Sequence, residues 1–109
     1  MTRTEITPDY SVAPQIGAGD VAEIKALGFR SIMCNRPDGE SFGQPEVAGV
    51  RAEAERLGLA FAFVPVVSGA MTLDDVEDFR AALADLPTPV LAYCRSGARC
   101  RNLWMLAQG

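Results

Sequence analysis

Apolar and polar positions along the chain switch period four times, and each switch marks a strand giving way to a helix. "YSVAPQI" (10–16) reads as a weak first strand, interrupted by Pro14 and therefore expected at a sheet edge. "GDVAEIKALG" follows as a helix: Asp20 can cap it, Glu23 sits three places on, and Gly28 closes it. "RSIMCN" (30–35) is the second strand and runs into the polar turn "NRPDGE". The next helix, "QPEVAGVRAEAERLG", has Pro45 in its first turn, with Val47, Val50, Ala54 and Leu57 on one face. "LAFAFVPV" (59–66) is a nearly unbroken apolar strand, the pattern expected where a parallel sheet is covered on both sides. Thr72 and Asp75 form a capping pattern for "TLDDVEDFRAALADL", whose Val76, Phe79, Leu83 and Leu86 face inward. "PVLAYC" (89–94) is the last strand and "RCRNLWMLAQ" the last helix.

This alternation predicts a three-layer α/β domain spanning residues 1–109, with a mainly parallel sheet of about four strands flanked by helices. In such a sheet every strand-to-helix turn lies on one carboxyl edge. Three turns there carry unusual residues: "NRPDGE", "VVSGAMT" and "CRSGARC". One shared site is expected.

Composition narrows the chemistry. The 109 residues have a net charge of −4, so a basic face for nucleic acid is not expected. There is no histidine, which removes Cys-His and Ser-His pairs, and three cysteines make a metal site improbable. No cofactor is called for. The first residues lack the apolar segment of a signal peptide. "LGLAFAFVPVV" is far shorter than the roughly 18 residues a membrane span needs. These features predict a soluble, cytoplasmic protein.

The densest chemistry is at 94–100. Cys94 ends a strand just before a helix begins, so the amides of residues 95–99 can curl around its sulfur. Gly97 supplies the permissive φ that such a nest requires. The helix N-terminus, Arg95 and Arg99 add positive charge. All of this favours thiolate over thiol. An ordinary cysteine is only about 3% thiolate at pH 7, and a shift of about three units corresponds to roughly 4 kcal/mol. A nucleophile arises without a histidine base. Cys34, beside Met33 inside a strand, reads as a core residue.

The loop C-R-S-G-x-R resembles the active loop of the rhodanese sulfurtransferases. Over about residues 5–107, "YSVAPQI", "IMCNRPDGE", "QPE" and "YCRSGARC…LWML" resemble the bacterial beta-lactamase-hydrolase-like family. Its domain is called phosphatase-like and also catalogued as a sulfur transferase, and its fold is similar to the dual-specificity cysteine phosphatases. The resemblance implies Cys94 as nucleophile, with Arg99 and the amides of Arg95, Ser96, Gly97 and Ala98 holding an anionic substrate. It also implies a separately encoded metallo-hydrolase as a partner.

Spacing divides the two chemistries. The cysteine phosphatases place arginine six residues after cysteine, whereas here Arg99 comes at five and Cys100 at six. The histidine they carry before the nucleophile is Tyr93, and their acid position falls near Ser68. Sulfur transfer needs no such acid. The leading expectation is therefore a sulfurtransferase carrying sulfane sulfur as a persulfide on Cys94, from thiosulfate or a persulfide to a thiol or cyanide. A phosphatase forming a phosphocysteine on Cys94 is the alternative, and a redox module using Cys94 and Cys100 is a third reading. Arg36 is either a second cation for the substrate or a surface arginine paired with Glu40 or Asp38. Asp38 is either a substitute acid or a turn residue bonded to nearby backbone. Cys100 either packs in the first helical turn or resolves an oxidised Cys94.

Overall fold

A computed structural model describes residues 1–108. Five strands form one sheet: β1 (Thr4–Thr7), β2 (Tyr10–Ala13), β3 (Ser31–Cys34), β4 (Ala60–Phe63) and β5 (Val90–Tyr93), in the order β1-β2-β5-β3-β4. The pairs β2–β5, β5–β3 and β3–β4 are parallel, and only β1 is antiparallel. Four α-helices accompany them: α1 (Val21–Ala26), α2 (Val47–Arg56), α3 (Leu73–Asp85) and α4 (Ala98–Ala107).

The α/β reading holds, and three details differ from expectation. Thr4–Thr7 is an additional strand that covers the outer side of β2. Pro14 therefore does not mark an edge: β2 stops at Ala13, just before it, and all four of its residues are buried. The real edge on the other side is β4, whose residues are only half covered, ending at an exposed Phe63. Its run of apolar residues reflects packing against α2, including the Arg51 guanidinium over the Phe61 ring, rather than burial on both faces.

Helix starts follow the same local rules with shifted partners. Asp20 stands at the N-cap position of α1 but does not cap that helix with its side chain; its carboxylate accepts from the Gly17 N–H, closing a 3-10 turn at 18–20 ahead of α1. Pro45 precedes α2, and the carboxylate of Asp38, nine residues upstream, accepts from Val47 N–H at 2.9 Å. The expected box at α3 is present, with Thr72 and Asp75 exchanging side-chain to backbone hydrogen bonds.

Period-two alternation assigns the central strands to two cores. On one face Ile32, Cys34, Leu91 and Tyr93 pack with Ile24, Val50 and Ala54 of α1 and α2. On the other, Met33, Val90, Ala92 and Cys94 pack with Val76, Phe79, Cys100 and Leu103 of α3 and α4. Cys34 and Cys94 thus lie on opposite faces of the sheet. Cys34 is a core residue, as expected, and burial raises its pKa.

Candidate active site

The chain after β5 turns within four residues into α4. Cys94 N–H donates to Ala13 O, and Arg95 O accepts from Gln15 N–H, so both sides of the turn are fastened to the end of β2. Gly97 closes it at φ +94°, in the left-handed region. A Cβ there would make ordinary contact with the Ala13 backbone at 3.5 Å, so glycine is required by conformation rather than by space.

This geometry wraps donors around the Cys94 sulfur. Gly97 N–H reaches Sγ at 3.0 Å. The Cys100 thiol and the amides of Cys100, Ser96 and Arg99 surround the same sulfur and favour its charged form. Cys100 makes the largest contribution, and together these donors outweigh the cost of burial, bringing the Cys94 pKa down to about 5. Cys94 is a thiolate at neutral pH, while Cys100, fully buried, is pushed far the other way and keeps its proton. Its carbonyl accepts from the buried Tyr10 hydroxyl at 2.8 Å, tying the first turn of α4 to β2.

The other turns of the carboxyl edge converge here through Glu40. Its carboxylate receives Arg99 Nη1 at 2.7 Å and Nη2 at 2.8 Å, and Arg36 Nε at 2.8 Å. Arg99 Nη1 also donates to Val66 O at 3.0 Å. Two arginines hold the Glu40 carboxyl at a pKa of about 2, Arg99 contributing most. Counting guanidinium donors leaves Arg99 Nε–H and the second Nη2–H outside the bonds to Glu40 and Val66, on the guanidinium that also interacts with the Cys94 sulfur. Those two protons form one edge of the guanidinium, a fork of the kind that grips two oxygens of an anion. Arg99 lies against Cys94 as well as Glu40.

The candidate residues fall into distinct places. Arg95 and Arg99, with Glu40, Val67 and Ser68, line a mouth of about 290 Å³. Ser96 accepts from Ala98 N–H, and Ala98 is exposed at the start of α4. Arg36 is not at the mouth and is not a surface residue. It is 4% exposed and bound to Glu40, Gln15 Oε1 and Ser41 Oγ, contacts that steady Glu40. Asp38 caps α2 and is not placed as an acid. Glu40 as the link to Arg99 was not foreseen. The i,i+4 spacing from Arg36 signals the first contact, but nothing local signals a partner 59 residues away.

The model of the "Beta-lactamase hydrolase-like protein, phosphatase-like domain" family matches residues 2–109. The chain belongs to that family. Beta-lactamase hydrolase-like proteins of Xylella fastidiosa (strain Temecula1) and Agrobacterium fabrum are 34% and 32% identical to it over 108 residues. The chain spans about a quarter of the length of these relatives. A candidate phosphatase of Neisseria meningitidis superposes with a TM-score of 0.88 at 36% identity, over 96% of this chain and 75% of that one. At 15% identity, a crystal structure of Tk-PTP shares the fold with a TM-score of 0.68, over 88% of this chain and 62% of that one. The domain is phosphatase-like, and its fold suggests a cysteine-based hydrolase. These likenesses favour phosphate chemistry over the sulfur transfer expected from the loop alone. No helix among the described residues is long and apolar enough to cross a membrane.

Proposed function

We propose that this domain hydrolyses a small phosphate monoester or acyl phosphate through a phosphocysteine on Cys94. The observation that carries the reading is the Cys94 sulfur held 3.0 Å from the Gly97 N–H at the start of a helix, with the Arg99 guanidinium against it. Cys94 attacks phosphorus, the S–P bond forms as the bond to the leaving oxygen breaks, and water then cleaves S–P to release phosphate. The amides of residues 96–100 and the open edge of Arg99 neutralise the equatorial oxygens as charge builds on them. Arg95, exposed at the mouth, meets the incoming anion. Glu40 is a positioning residue that fixes the guanidinium plane, and Arg36 fixes Glu40.

Among the described residues that line the mouth, no carboxyl group is placed to protonate a leaving oxygen. Among the residues lining the mouth Glu40 is the only acid, and at a pKa of about 2 it has no proton to give. Turnover therefore favours leaving groups that depart as anions, such as phenolates and carboxylates.

That same missing acid, with the five-residue interval to Arg99, favours sulfane-sulfur transfer as the second reading. A parallel assay separates them. Turnover of p-nitrophenyl phosphate that vanishes in Cys94→Ser supports the phosphatase. Equal rates in the variant overturn it, and a +32 Da adduct after thiosulfate treatment without phosphate release moves the assignment to sulfur transfer.

A further inference from the structure

Beside the mouth, a groove of about 550 Å³ runs between the 67–71 loop and α4. It shares Val67, Ser68 and Arg99 with the mouth, so the two are one continuous surface. Beyond Arg99 the lining holds no charge: Gly69, Met71, Ala98, Asn102, Met105 and Leu106 form the rest of the walls. Val67, Met105 and Leu106 are 60%, 56% and 56% exposed, an apolar strip left in water next to an anion site. From Ala98 to Leu106 the helix wall extends about 12 Å.

A ligand whose anionic head sits in the amide nest finds in this groove an uncharged path for an apolar remainder. The missing acid adds a second, independent restriction, because the group lying there must leave without a proton. We infer that the groove is the subsite for the substrate's leaving group, and that this group is apolar, elongated and weakly basic. Alkyl-substituted aryl phosphates and medium-chain acyl phosphates share that chemistry. In either, the P–O bond breaks as S–P forms, and the electron pair stays on the phenolate or carboxylate oxygen. The inference rests on the phosphatase reading for its chemistry and on the groove for its selectivity.

The test uses two series on the wild-type protein: phenyl to 4-hexylphenyl phosphate, and acetyl to octanoyl phosphate. Expected is a rise in kcat/KM of two- to fourfold for each methylene that leaves water. A rise in one series alone assigns the leaving group to that class. Met105→Glu and Leu106→Glu, at exposed positions, should flatten the dependence. Constant kcat/KM along both series overturns the subsite while leaving the phosphatase reading intact. Calorimetry of Cys94→Ser with phenyl and 4-hexylphenyl phosphate gives a readout without turnover. Tighter binding of the longer ester with no wild-type turnover keeps the subsite and removes the phosphatase. A concentration-dependent dimer dispersed by Leu106→Glu, with both series flat, assigns the strip to a second copy of the chain and overturns the proposal.

Discussion

The loops after β5 and after β3 meet at one arginine, yet they are built by opposite means. The first is four residues long and makes most of its site from backbone, amides and one left-handed glycine, with the Cys100 thiol as the added side chain. The second spans twelve residues, 35–46, and makes its contribution from side chains, with Arg36, Glu40, Ser41 and Gln44 bonded to one another and to the loop's own carbonyls. A backbone site is short-range and tolerates side-chain change, provided glycine stays glycine. A side-chain network reaches across the sheet and depends on every member.

The largest expected effects fall on the backbone-built loop. Cys94→Ser should remove at least three orders of magnitude of activity without loss of fold, measured by turnover of an aryl phosphate and by thermal melting. Gly97→Ala should lose both activity and stability, since φ +94° is strained for any residue with a Cβ; Ser96→Ala, one residue earlier and exposed, should lose little of either. Equal effects at these two positions would erase the distinction between the loops.

Glu40→Gln tests the side-chain loop. It leaves Arg99 and Arg36, both buried, without their shared counter-charge, so it should lower kcat about tenfold and stability by about 2 kcal/mol. The wild type should reproduce part of that loss in acid. Because the folded Glu40 pKa is depressed from 4.5 to about 2, its contribution is present above pH 4.5 and disappears as pH falls from there toward 2. Melting curves across that interval should show a steeper decline for wild type than for Glu40→Gln.

A smaller effect concerns Cys100. The acid limb of kcat/KM should have its midpoint near pH 5, set by Cys94. Cys100→Ala removes the strongest donor to that thiolate and should move the midpoint upward, whereas Cys100→Ser keeps a donor and should restore it. An unmoved midpoint in both variants would place the whole stabilisation in the amides. The smallest effect is Asp38→Ala, which removes the cap of α2 and should cost about 1 kcal/mol of stability.

The same contrast explains what the chain disclosed before its structure. The central strands, the four helices and the Cys94 nest were legible because each depends on neighbours in sequence: period-two alternation, capping spacings, and glycine between a strand and a helix. β1 was missed because "TEIT" carries no apolar face of its own and gains its place only by pairing with β2. The doubly covered appearance of 59–66 misled because periodicity cannot tell a central strand from an edge strand packed under a helix. Arg36 was left undecided between a substrate cation and a surface arginine paired with Glu40 or Asp38; it does pair with Glu40, but it is buried. Its burial is created by Gln15, Glu40 and Ser41, which the fold assembles from two loops.

The thiolate at the base of the nest has one more consequence under the proposed chemistry. The amides around Cys94 already hold one negative charge before any substrate arrives. When the sulfur becomes esterified that charge moves outward onto the phosphoryl group, and the nest grips it. When water cleaves the S–P bond, the charge returns to sulfur and faces the freed phosphate directly. The cradle thus alternates between holding an anion and repelling one, so product departs on the step that restores the nucleophile.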